Sequence, residues 1–164
     1  MVSDVHEQEM LWYNSCQDSA KIDVSDMGLG TLTELIEAKF IDLAPDFQRR
    51  ERWGLDRKSK LIDSFMRNIP VPPAYLAEDQ AQRGLYAVID GKQRLTAISD
   101  FIMNRFRLDS DLEGPFAGKT FDELPQAVQV SLKMKTLRTT TILYGSDIKV
   151  VHEVFIRLNT GASL

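Results

Sequence analysis

The run Leu85-Tyr86-Ala87-Val88-Ile89 leads straight into Asp90-Gly91-Lys92-Gln93-Arg94, and then into Leu95, Ile98, Phe101 and Ile102. The first run has the length and apolarity of a buried strand. The last four residues fall at helical spacing. A strand must therefore turn into a helix at Asp90-Gly91, with Lys92, Gln93 and Arg94 in the first helical turn. Backbone N–H groups in such a turn have no acceptor within the helix, and the macrodipole favours an anion there. Gly91 permits the turn and lets a ligand approach the backbone. Lys92 and Arg94 oppose the macrodipole, a local cost that points to function. The plainer alternative is a turn in which Asp90 caps the helix and Arg94 makes a surface ion pair.

A second segment, Pro45-Asp46-Phe47-Gln48-Arg49-Arg50-Glu51-Arg52-Trp53, sets hydrogen-bond donors between two aromatic residues. Between 49 and 60 lie six cations (Arg49, Arg50, Arg52, Arg57, Lys58, Lys60) against Glu51 and Asp56. That cluster suits either DNA phosphates or a solvated face, and Arg57, Lys58 and Lys60 fall on the polar side of a predicted helix.

With these segments in view, the chain resembles the N-terminal domain shared by GmrSD-type modification-dependent restriction enzymes and SspE-type phage-defence proteins. Four motifs carry the resemblance in order: Phe47-Gln48-Arg49 with Trp53; Leu61-Ile62-Asp63-Ser64 with Ile69-Pro70-Val71-Pro72; Asp90 to Thr96; and Phe155-Ile156-Arg157-Leu158-Asn159-Thr160-Gly161. It covers about residues 30 to 164. Lys92 departs from the pattern by standing where the family has Gln, replacing an amide that donates and accepts with a pure cation. The resemblance implies a ParB/sulfiredoxin-like α+β fold, a small mixed sheet packed with several helices. It also implies nucleotide binding at the strand-to-helix loop, and an HNH-type nuclease domain in the same or a partner chain.

Composition narrows the rest. At 164 residues, 43% hydrophobic and 27% charged, the chain is long enough for one core. Net charge of −4 argues against a surface that coats nucleic acid everywhere. No apolar run reaches the ~20 residues of a membrane span, and Asp4, Glu7 and Glu9 interrupt any signal peptide, so a cytoplasmic location is expected. Cys16, His6 and His152 show no zinc-ligand spacing. No Walker-type glycine-lysine loop occurs, which excludes an ordinary P-loop enzyme.

Residues 1–25 read as an N-terminal extension, with Leu11-Trp12-Tyr13 available to dock on the core, and 26–164 as the domain. Helices are predicted over 31–41, opened by a Thr31/Glu34 capping box, from Asp56 to the prolines at 70–73, after Gly91, over 121–134, and from Ser146-Asp147 to Gly161. Strands are predicted over 74–77, 85–89 and 136–144.

The function expected is a nucleotide-binding regulatory or sensor domain of a restriction or phage-defence protein, with NTP hydrolysis left open. Gln48, Arg49, Asp90, Gly91, Lys92, Gln93 and Arg94 would hold GTP, CTP or ATP. Asp90 and Arg94 are the catalytic candidates, and Asp90 is also the candidate ligand for magnesium. Arg157 and Asn159 are further motif residues. The alternatives are a DNA-binding or nicking module, for modified DNA among others, that uses Arg50, Arg52 and Arg57, and an interaction domain without ligand.

Overall fold

The computed structural model describes residues 1–43 and 52–160. Helix α1 (Val2–Ser19) leads into strand β1 (Ile22–Gly28), helix α2 (Leu29–Glu37), the short strand β2 (Ile41–Asp42) and helix α3 (Leu55–Met66). Strands β3 (Ala74–Glu78) and β4 (Tyr86–Asp90) precede helix α4 (Lys92–Ile102), and helix α5 (Gln126–Met134), strand β5 (Thr136–Ile142) and helix α6 (Ile148–Thr160) complete the chain. The expected α+β class is what the chain adopts.

The strands form one mixed sheet in the order β1-β5-β3-β4-β2. Strands β1 and β5 are antiparallel, as are β3 and β4, while β3–β5 and β2–β4 are parallel. Consecutive residues of a strand point to opposite faces, and Leu76 and Ala77 show the consequence. Leu76 joins the main core with Leu29, Ile62, Leu95 and Phe101 from the helices. Ala77 joins a smaller cluster with Ile89, Ile142 and Val151 of α6. Helices α2 to α5 thus cover one face, and α6 the other.

Three helix ends share one device. Lys39, Asn68 and Asn104 take left-handed backbone (φ 68, 58 and 61) just past α2, α3 and α4. The next residue then donates its N–H back across the last turn: Phe40 to Leu35 O, Ile69 to Ser64 O, and Arg105 to Asp100 O. These paired bonds satisfy carbonyls that a helix end leaves unmet. They also stop α2 short, so that Leu35, Phe40 and Tyr86 line an open trough of about 490 Å³ on that face of the sheet.

Several sequence expectations need correction. Helix α2 begins at Leu29 with Gly28 as N-cap, so Thr31 lies inside its first turn and no capping box forms. Gly54, not Asp56, precedes α3. The stretch expected as one helix over 121–134 is a 3₁₀ turn (Phe121–Glu123), a break at Leu124-Pro125, and α5. Proline disfavours helical backbone in the residue before it, and Leu124 is extended (φ −72, ψ 152). Residues 2–19 are helical, but Leu11, Trp12 and Tyr13 are exposed and not docked on the core. Ile22–Gly28 is an edge strand, so the division placed after residue 25 falls within it.

Candidate functional site

The end of β4 positions the loop. Asp90 is its last residue, opposite Tyr75 of β3. Gly91 follows with φ +101 and serves as the N-cap of α4, a role the sequence reading had offered to Asp90. A Cβ at Gly91 would lie 3.1 Å from Ala74 Cβ and from Arg94 Nη2, and 3.2 Å from Ala74 Cα. Both the conformation and the close approach to β3 therefore require glycine. Leu95 N donates to Gly91 O at 3.0 Å, the first bond of the helix. Lys92, Gln93 and Arg94 occupy the turn before it, which contains no acidic side chain.

Arg94 folds back over the loop. Its Nη2 donates to Pro73 O at 2.7 Å and lies 3.5 Å from Asp90 Oδ2, with the side chain only 16% exposed. Its Nε is a buried donor with no acceptor among the described residues. Charge, half of the guanidinium geometry and an unmet donor are thus concentrated beside the helix start. Gln93 reaches the other way: its Oε1 accepts from Trp53 N at 3.2 Å. Trp53 packs against the main core, and its ring carries the Arg57 guanidinium at 4.7 Å. Thr96 Oγ1 donates to Lys92 O at 2.7 Å and tightens the first turn.

The structure therefore brings together Asp90, Gly91, Lys92, Gln93 and Arg94, and joins them through Gln93 to Trp53. Gln48, Arg49 and Arg50 lie outside the described residues. Arg52 is exposed, as is Arg57. Arg157 Nε donates to Glu153 Oε1 at 2.7 Å on the surface of α6, and Asn159 is half-buried in the last turn. Sequence reasoning missed Pro73, whose carbonyl receives Arg94; its place before β3 gave no sign of that contact. The link from Gln93 to Trp53 was likewise invisible, because it joins positions forty residues apart.

The open trough has the opposite character. Among the described residues Asp23 is its only charged lining residue. Burial, reinforced by the carboxylates of Glu78 and Asp23, pushes the Tyr86 phenol above its ordinary pKa. Among the described residues no three His, Cys, Asp or Glu side chains are grouped to hold a metal ion, and no helix is long and apolar enough to cross a membrane.

A sheet that delivers a glycine turn and a cationic helix start is the frame that the four ordered motifs had indicated. The chain belongs to the family described as the GmrSD restriction endonuclease, N-terminal domain, whose model matches residues 32–163. A solved structure similar to it is the C-terminally truncated chromosome-partitioning protein ParB from Caulobacter crescentus complexed with CTP-gamma-S. Identity is 13% and the TM-score 0.41, over 87% of this chain and 56% of that one, so this chain spans little more than half of that structure's length. No curated protein matches the chain.

Proposed function

We propose that this chain is the nucleotide-binding domain of a restriction or phage-defence protein, holding the phosphates of an NTP at the start of α4. One observation carries the reading: a left-handed Gly91 opens a helix whose first turn is Lys92-Gln93-Arg94, with the Arg94 Nε buried and unmet. A phosphate at that point would receive backbone N–H groups and two cationic side chains, and would give the guanidinium fork oxygen partners. Lys92 suits this role better than the Gln of the family pattern, because a cation donates without competing as an acceptor. Gln48 and Arg49 would meet the distal phosphate from the segment preceding Trp53.

Among the described residues Asp90 belongs to no group of three His, Cys, Asp or Glu side chains. A magnesium ion there would take its other ligands from phosphate oxygens and water, the usual manner of that metal. Hydrolysis would then need a water oriented by Asp90 and charge neutralised by Arg94. The nucleotide state would be read by an HNH-type nuclease domain acting on DNA, modified DNA included.

Calorimetric titration with ATP, GTP, CTP and UTP, each with magnesium, tests the reading on the wild type, Lys92→Ala and Arg94→Lys. One nucleotide is expected to bind and to stabilise the fold by about 2.7 kcal/mol at a hundredfold excess over its dissociation constant. Lys92→Ala should weaken it about tenfold while the free chain stays folded, a loss of about 1.4 kcal/mol. Arg94→Lys keeps the charge but loses the planar fork, so it should weaken binding as well. A folded chain that binds no nucleotide would overturn the proposal.

A further inference from the structure

The open trough beside α2 is a concave site separate from the start of α4. Its rim is fixed by backbone bonds: Phe40 N donates to Leu35 O at 2.9 Å, and Tyr86 N donates to Phe40 O at 2.8 Å. Its volume of about 490 Å³ falls within the roughly 300–1,000 Å³ of small-molecule sites. Leu35, Phe40, Ile41, Leu76 and Leu143 supply an apolar lining.

Four polar side chains interrupt that lining: Asp23 and Ser25 of β1, Thr141 of β5 and Tyr86 of β4. The strand register sets Asp23 opposite Thr141. Thr139 spends its hydroxyl within the sheet, donating to Ser25 O at 3.3 Å. The hydroxyls of Ser25, Thr141 and Tyr86 make no hydrogen bond to a described residue, and the Asp23 carboxylate makes no ion pair with one. The local field favours a cation. Besides burial, the charges of Glu78 and Asp23 hold the Tyr86 phenol above its ordinary pKa, and the same two carboxylates attract positive charge. No described cation lines the trough: Lys21 Nζ lies beside Gly145, and the Arg83 guanidinium stacks over Tyr144 at 4.6 Å. A neutral occupant would cover Asp23 and leave it unpaired, a cost that an ammonium group turns into a contact.

We propose that the trough binds a small organic cation, a primary ammonium on a flat aromatic body. The ammonium meets Asp23 and the Thr141 hydroxyl, and the body lies over Leu76 with Phe40 and Tyr86 as ring partners. Tyr86 and Asp90 are the two ends of β4, roughly 13 Å apart along an extended strand, so this site stands independently of any nucleotide.

Tryptamine, tryptophol and indolepropionate carry one indole with a positive, neutral or negative tail, and amide chemical shifts of the full chain report their binding. Tryptamine should bind saturably with a dissociation constant of ~1 mM or below. Its shifts should cluster at Asp23, Thr141 and Tyr86 and leave the amides of residues 91–94 unmoved. Tryptophol should bind about fivefold more weakly, the upper worth of an ion pair that stays open to water, and indolepropionate more weakly still. Asp23→Asn, an exposed substitution, should erase the preference for tryptamine over tryptophol while leaving tryptophol's affinity unchanged. Equal affinity for all three tails would make the trough a plain apolar groove and overturn the proposal. So would an Asp23→Asn chain that keeps the preference, shifts confined to another surface, or no saturation up to ~10 mM, the result expected if a protein segment covers the trough instead.

Discussion

Arg94 and Glu78 lie at opposite ends of the sheet and solve opposite problems. Arg94 is a half-buried cation whose attachments, Pro73 O and Asp90, leave its buried Nε without an acceptor among the described residues. An unmet buried donor costs about 1–3 kcal/mol, a strain that a bound anion would relieve. Glu78 is fully engaged. Its carboxylate receives Tyr144 N at 2.7 Å and Gly84 N at 3.0 Å, fastening the β3–β4 turn to the end of β5. Those two donors hold its pKa below the ordinary 4.5. A carboxylate depressed in the folded chain stabilises it above the unfolded pKa, and that stability is lost as pH falls through the folded value. Glu78→Gln should therefore lower stability by about 1 kcal/mol near neutrality. The deficit should shrink on acidification below the ordinary pKa, because wild type alone loses the charge-assisted bonds. Melting curves from neutral to acid pH check this; a gap that stays constant would mean that the carboxylate charge is not what holds the turn. The asymmetry of legibility is also clearest at single residues. Asp90-Gly91 announced itself through local sequence, but Glu78 and Pro73 act through partners far along the chain and had no local signature.

Among the elements, α4 was readable in full, since Leu95, Ile98, Phe101 and Ile102 are all buried as their spacing requires. Strand β1 was not. Asp23 and Ser25, which line the open trough, are polar, and Ile22 and Val24 are exposed. An edge strand with that inverted pattern has no apolar alternation to read. Helix α1 was missed for a related reason: among the described residues nothing buries a face of it. Helix ends were hidden too. Lys39 holds left-handed backbone after α2 where glycine is the usual residue. Lys39→Gly should remove that backbone cost and raise stability by about 0.5–1 kcal/mol. Chemical denaturation should show a higher midpoint at unchanged slope. A lower midpoint would indicate that the unfolded-state entropy of glycine outweighs the relief of strain.

At the scale of the molecule, the question is what the N-terminal region contributes to the fold and what it adds to it. Strand β1 pairs with β5 from Ile22↔Ile142 through Gly28↔Thr136, and β5 in turn pairs with β3. The strand is therefore part of the sheet, although the family match begins only at residue 32. Helix α1 contributes no buried side chain to either core. The two should separate cleanly on truncation. Removing residues 1–18 keeps Ser19 and Lys21, whose carbonyls receive Asp147 N and Leu143 N. That chain should melt within a few degrees of the intact one. Removing residues 1–25 deletes four of the seven β1–β5 pairs and bares the hydrogen-bonding edge of β5, a template for aggregation. That chain should lose several kcal/mol or precipitate. Calorimetry with sedimentation on both truncations decides the matter. If the shorter chain were as stable and monodisperse as the longer, β1 would be an appendage, and the folded unit would begin near α2, where the family match does.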